Sequence, residues 1–244
     1  MSAFDSTPLA LDLGLPHLSP DAVPWLTAAQ MAAADDLATG EFGIDLLQMM
    51  EHAGAALAEA VIRAAPNGPV TVLAGGGDNG GGGLCAARHL ANRGREVTIV
   101  LSSTPSTAGA HHLRTLAAMG IRPAEGPPGA GPVVDALVGY GIKGALRGRA
   151  AELAKAVRGR VIVSLDLPSG LGHVGAVEPL VTVALALPKE NLRDVRPLLL
   201  ADIGLPQALW SRLGLDVSTV FGDGRLLTIL PAVNPPKLGR SSTP

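Results

Sequence analysis

Apolar positions along the chain follow two different periods. Six short apolar runs, at residues 70–74, 96–101, 133–137, 161–165, 181–187 and 198–201, read as buried strands. Stretches between them, at about 81–92, 108–119 and 150–157, carry the helical spacing. Two helices are predicted ahead of the first run. One starts at Thr27, where Thr27-Ala28-Ala29-Gln30 fits a capping box, and repeats Met31, Ala34 and Leu37. Gly40 and Gly43 break it. The other spans about 45–64, with Leu46, Leu47, Met50, Ala53, Leu57, Ala58 and Val61 on one face. Short apolar strands alternating with helices predict a three-layer α/β/α, Rossmann-like fold: a mostly parallel sheet with helices on both faces. Residues 1–24 and 231–244, rich in Pro and Ser, read as tails around one domain at 25–230.

Composition narrows the function. A length of 244 residues with 47% hydrophobic content suits one sizeable domain. The net charge of −2 and only three Phe, two Trp and one Tyr argue against a nucleic-acid partner. The single cysteine, Cys85, excludes an internal disulfide and reads as a packed thiol on a helix face. No apolar run approaches the ~20 residues that a membrane helix needs, and the first residues lack a signal-peptide pattern. The expectation is a cytoplasmic protein that engages no membrane.

The chemistry gathers where strands end. Ligands of parallel sheets bind at the carboxyl ends of the strands. There the chain places Asp78-Asn79, then Asp135 with Gly139-Tyr140-Gly141-Ile142-Lys143-Gly144, then Asp166-Leu167-Pro168-Ser169-Gly170, then Pro188-Lys189. Gly75-Gly76-Gly77-Asp78-Asn79-Gly80-Gly81-Gly82-Gly83 follows the first strand and reads as a turn that lets backbone N–H groups approach an anion. Its spacing matches a dinucleotide fingerprint, but the next strand ends Leu101-Ser102-Ser103, without the acid that would hold a ribose. No Gly-Lys-Ser/Thr P-loop is present.

Taken together, these motifs resemble the NAD(P)H-hydrate epimerases, the YjeF N-terminal domain family. Gly77-Asp78-Asn79-Gly80-Gly81-Gly82-Gly83-Leu84 running into Ala87-Arg88-His89-Leu90 is similar to the family's Gly-Asn-Asn-Gly-Gly-Asp-Gly-Leu and Ala-Arg-His-Leu. Val134-Asp135-Ala136-Leu137, Asp166-Leu167-Pro168-Ser169-Gly170-Leu171, Leu187-Pro188-Lys189 and Met50-Glu51-His52-Ala53-Gly54 resemble further family motifs, over roughly residues 25–225. Two positions depart from the pattern: Asp78 stands for the family's first loop Asn, and Gly82 for its loop Asp.

The resemblance implies interconversion of the R and S forms of hydrated NADH and NADPH, whose reduced ring carries a hydroxyl on C6. It implies Asp166 as the acid/base and as a contact to the ring. Asp78, Asn79, Gly80, Gly81 and Gly82, with Gly139, Tyr140, Gly141, Ile142, Lys143, Gly144 and Ala145, would bind substrate. Asn79, Asp135 and Ser169 match the family's potassium ligands, one ion per subunit, and their oxygens suit a hard cation. Lys143 is available to a phosphate or to solvent, and Lys189 to proton transfer or to charge balance. His89 reads as packed or surface-lying, and His111 and His112 as residues of a helix face. The resemblance also implies a homodimer and a functional pairing with a separate NAD(P)H-hydrate dehydratase. The alternative is a catalytically degenerate scaffold of the same fold that binds a nucleotide or a protein.

Overall fold

The computed structural model describes residues 13–126, 128–141 and 144–230. Eight strands form one sheet: β1 (His17–Leu18), β2 (Val70–Ala74), β3 (Val97–Leu101), β4 (Val133–Ala136), β5 (Ile162–Leu165), β6 (Val181–Leu185), β7 (Leu198–Ala201) and β8 (Leu226–Ile229). Their order is β1-β8-β7-β6-β5-β4-β2-β3. Every pair is parallel except β7–β8.

The strands alternate their side chains between two helix layers. Val72, Val134 and Val163 pack with Leu57, Val61, Leu84 and Leu90 of α2 (Leu46–Ala64) and α3 (Asp78–Ala91). Their neighbours Leu73, Val133 and Ile162 pack on the other face with Leu153 and Ala154 of α5 (Gly148–Ala156). This period-two division of an all-apolar strand is what a sheet covered on both faces requires. α4 (Thr107–Ala118) lies beside α3, and α6 (Gln207–Arg212) contributes the fully buried Trp210.

α1 (Ala28–Gly40) begins with the expected capping box. Thr27 Oγ1 accepts from Gln30 N at 3.2 Å, and Gln30 Oε1 accepts from Thr27 N at 2.9 Å. Just before it, Leu26 N donates to Pro188 O and Glu190 N donates to Leu26 O, both at 2.9 Å. This pins the start of α1 beside Lys189, at the end of β6.

The structure corrects the sequence reading in two places. The helix expected from about residue 81 starts earlier, at Asp78, so Gly80 to Gly83 lie in its first two turns rather than in the preceding turn. Helix propensity disfavours glycine there by about 1 kcal/mol each, but close packing demands it. A Cβ on Gly83 would lie 2.4 Å from Ala136 Cβ, and one on Gly80 would lie 2.0 Å from Gly75 O. The second correction concerns the segment read as an N-terminal tail. Its part from residue 13 onward packs on the domain, with Leu13 and Leu15 buried and β1 paired to β8. Residues 231–244, read as the other tail, lie outside the described residues.

Candidate active site

A cavity of about 600 Å³ opens at the carboxyl ends of β2, β4, β5 and β6. Asp78, Asn79, Gly82, Gly139, Tyr140, Gly141, Asp166 and Lys189 line it, with Asp35, Met31 and Met49 from the two N-terminal helices. Its walls are mainly apolar, with a few convergent polar groups, as small-molecule sites usually are.

Asp166 is the residue that follows β5, and its backbone is left-handed, with φ of 65°. Such a conformation costs a non-glycine residue about 1–2 kcal/mol and is seen mainly where the surroundings enforce it. Here the amide of Asp166 donates to Val183 O at 2.7 Å. The turn swings the carboxylate over the strand end, where it is 4% exposed. Oδ1 accepts from Lys189 Nζ at 2.6 Å, and Oδ2 accepts from the Tyr140 amide at 3.1 Å. Lys189 is itself 3% exposed and also donates to Leu185 O at 3.0 Å. The lysine is thus the charge partner of Asp166, one of the two roles its sequence position left open.

Asn79 and Asp166 converge on Gly139. A Cβ there would stand 2.9 Å from Asp166 Oδ2 and 3.2 Å from Asn79 Oδ1, so a side chain at 139 would push between them. The Asn79 side chain has no hydrogen-bond partner among the described residues, and its Nδ2 is buried. It occupies the first turn of α3, where backbone N–H groups have no intrahelical acceptor. Asp78 lies beside it and accepts from Ser106 Oγ at 3.3 Å, which ties its carboxylate to the first turn of α4.

Beneath the cavity floor, Asp135 is fully buried. Oδ1 accepts from Ser169 Oγ at 2.6 Å and Leu137 N at 3.3 Å; Oδ2 accepts from Ser164 Oγ at 2.7 Å and Ser169 N at 2.9 Å. Burial raises its pKa above the ordinary carboxylate value, against the pull of these hydrogen bonds. No lysine or arginine pairs with it among the described residues. Ser169 Oγ also accepts from Val138 N at 3.0 Å.

Of the positions singled out in the sequence, Asp78, Asn79, Gly82, Gly139, Tyr140, Gly141 and Asp166 reach the cavity. Asp135 and Ser169 form the buried cluster below. Gly80 and Gly81 serve helix packing: a Cβ on Gly81 would meet Met50 Cε of α2 at 2.8 Å. Gly144 and Ala145 lie outside the cavity lining, and Ile142 and Lys143 fall outside the described residues. Gly82, where the family's Asp is missing, faces Leu165, whose Cδ2 a Cβ would meet at 2.8 Å.

One residue escaped the sequence reading. Asp35 on α1 accepts from the Tyr140 hydroxyl at 2.6 Å. The available signal was its register: Asp35 lies four residues after Met31 and three before Ala38, both buried, so the carboxylate shares the covered side of α1.

Away from the cavity, Glu51, Cys85 and His89 bring their ligand atoms within 4.8 Å of one another. The Arg88 guanidinium already bonds Glu51 and fills the place of a cation. His89 Nε2 lies 2.8 Å from Glu51 Oε1, so this histidine belongs to a link between α2 and α3. Cys85 is buried, and burial pushes its thiol up to about 12, as befits a packed residue.

The fold and the cavity define an α/β protein with a small-molecule site at the ends of its parallel strands. The chain belongs to the family described as YjeF-related protein N-terminus, whose model matches residues 46–191. It is 41% identical over 214 residues to a protein of Dehalogenimonas lykanthroporepellens named NAD(P)H-hydrate epimerase, covering 80% of this chain and 87% of the relative. A Truepera radiovictrix protein of the same name is 36% identical, with 78% and 94% covered. A Moorella thermoacetica relative named bifunctional NAD(P)H-hydrate repair enzyme Nnr is 35% identical, and 43% of its length is matched. Among solved structures, yeast ynu0 (YNL200c) superposes with a TM-score of 0.74 at 25% identity, over 85% of this chain and all of that one.

Proposed function

We propose that the protein is an isomerase that interconverts the R and S epimers of hydrated NADH and NADPH at ring carbon C6. The observation that carries the reading is Asp166: a buried carboxylate held at a strand end by a left-handed turn and paired with Lys189 in the cavity. The names of the two relatives that match over most of their length support the same activity. C6 is a carbinolamine carbon, and it loses configuration when a proton is moved to or from oxygen or nitrogen, which calls for a positioned acid/base. The free N–H groups at the start of α3 suit an anionic part of the nucleotide. Asp78 and Gly82 are the departures that speak for the non-catalytic scaffold; the names of these relatives favour the epimerase over it.

A potassium site is supported by the donor chemistry of three residues at the cavity edge and below it. Asn79, Asp135 and Ser169 offer only oxygen ligands for a hard cation. Asp135 is a buried carboxylate without a basic partner, and the Asn79 amide is unengaged. One bound ion per subunit would balance that charge and fix Asn79 at the cavity edge. The reading extends to a cytoplasmic homodimer paired with an NAD(P)H-hydrate dehydratase, and the bifunctional name of the Moorella relative supports that pairing. Among the described residues, no helix is long and apolar enough to cross a membrane.

The deciding experiment supplies R-hydrated NADH and follows both epimers by chromatography. Conversion well above the spontaneous rate supports the reading; a folded protein that adds nothing to that rate refutes it. Replacing choline chloride by potassium chloride at equal ionic strength is expected to raise the thermal midpoint, and Asn79→Ala with Ser169→Ala to abolish that rise.

A further inference from the structure

Resting on the epimerase reading, we infer that Asp35 is a second proton-transfer group of the site, working opposite Asp166. Tyr140 connects the two. Its amide donates to Asp166 Oδ2 at 3.1 Å, while its hydroxyl donates to Asp35 Oδ2 at 2.6 Å. The carboxylates therefore stand at opposite ends of one tyrosine, one on the sheet and one on α1, and both line the same cavity. The tyrosine engages Asp35 through Oδ2 alone. Among the described residues no hydrogen bond is made to Oδ1 of this cavity-lining carboxylate.

The chemistry has a use for this arrangement. Exchange of configuration at a carbinolamine carbon through loss of hydroxyl proceeds over a planar centre. The C6–O bond breaks with its electron pair on oxygen, and a proton from one carboxylic acid turns the departing group into water. The ring-nitrogen lone pair forms the C6=N1 bond. Water then adds to the opposite face and gives its extra proton to the other carboxylate. No atom or electron is gained or lost overall, and the two carboxyl groups exchange roles until solvent resets them. A single acid/base on one face serves only half of this sequence.

The environments of the two carboxylates differ, as a divided role requires. Asp166 is in contact with the Lys189 ammonium. Asp35 has no such contact: burial raises its pKa, the Tyr140 hydrogen bond and the more distant Lys189 charge pull it down, and the charges of Asp166 and Asp36 push it up. The net direction for Asp35 is upward from the ordinary carboxylate value.

The test measures steady-state epimerisation by wild type, Asp35→Asn, Asp35→Ala and Tyr140→Phe, each checked for an unchanged thermal transition. Asp35→Asn keeps an oxygen for the Tyr140 hydroxyl but cannot carry the proton. Its kcat should fall about 100-fold or more with KM held within about threefold. Added sodium formate should restore part of the Asp35→Ala rate. Tyr140→Phe, which removes only the orienting bond, should lose about tenfold. An Asp35→Asn enzyme close to wild type, a loss confined to KM, or an Asp35→Ala enzyme that formate does not rescue would each overturn the assignment while leaving the epimerase reading intact. A wild type without activity would overturn both.

Discussion

Two neighbouring strands end in the same backbone and in different chemistry. After β5 the chain reads Asp166-Leu167-Pro168-Ser169; after β6 it reads Ala186-Leu187-Pro188-Lys189. The first residue of each is left-handed, with φ of 65° and 61°, and its amide is held by the next strand, Asp166 N on Val183 O and Ala186 N on Ala201 O. The leucines are buried in both. At β5 the left-handed position carries the buried carboxylate of Asp166. At β6 it carries a methyl group, and the polar residue comes three positions later as Lys189, whose ammonium returns to Asp166. Aspartate tolerates this conformation better than alanine, so strain at Ala186 serves the placing of a distant lysine. One turn motif, used twice, builds an ion pair from two strands.

Breaking the pair at its acidic end should have the largest effect. Asp166→Asn keeps the shape of the side chain and is expected to lower kcat about 10²–10⁴-fold, read by epimer chromatography. At the basic end, Lys189→Met leaves a buried carboxylate alone and should cost about 3–5 kcal/mol of stability in urea unfolding. Combining Lys189→Met with Asp166→Asn should return much of that loss, because the uncompensated charge is then gone. The smallest effect is expected at Ala186→Gly. It relieves a left-handed alanine worth about 1–2 kcal/mol and returns about half of that through the greater freedom of glycine when unfolded. A net gain of up to about 1 kcal/mol should follow, without loss of activity. A destabilised Ala186→Gly variant would show that the two turns are not equivalent in energy.

Much of this arrangement could be read from residues alone. The apolar runs at 70–74 and 198–201 coincide with β2 and β7, and the capping box at Thr27 marks where α1 begins. Those signals are local, and local physics decides them. The first turn of α3 was not legible, since a run of glycines carries no helical preference; the neighbours that demand their small size, Gly75, Met50, Leu165 and Ala136, are met only in the fold. β1 and β8 were missed for a related reason. β1, of two residues, has no period, and the pairing that defines it and one edge of the four-residue β8 joins His17 and Leu18 to Thr228 and Ile229, more than 200 residues away. In the site, Asp166, Asn79 and Asp135 were visible because parallel sheets collect ligand groups at strand ends. Asp35 sits on a helix beside another aspartate, where a solvated face is the usual meaning. Its register with Met31 and Ala38 hinted at a covered position, and the approach of Tyr140 from a distant loop gives it a partner there.

The lone cysteine, described above as packing, also makes the molecule its own clock. Cys85 lies so close under α2 that a Cβ on Gly54 would stand 2.6 Å from its sulfur. A buried thiol reacts slowly with alkylating reagents, so labelling of Cys85 needs the packing between α2 and α3 to open locally. The same helix supplies Met49, Met50 and Ala53 to the cavity wall. The rate of thiol alkylation in the native protein therefore counts openings of the site's own wall, and a ligand that seals the cavity should slow that count with no probe attached.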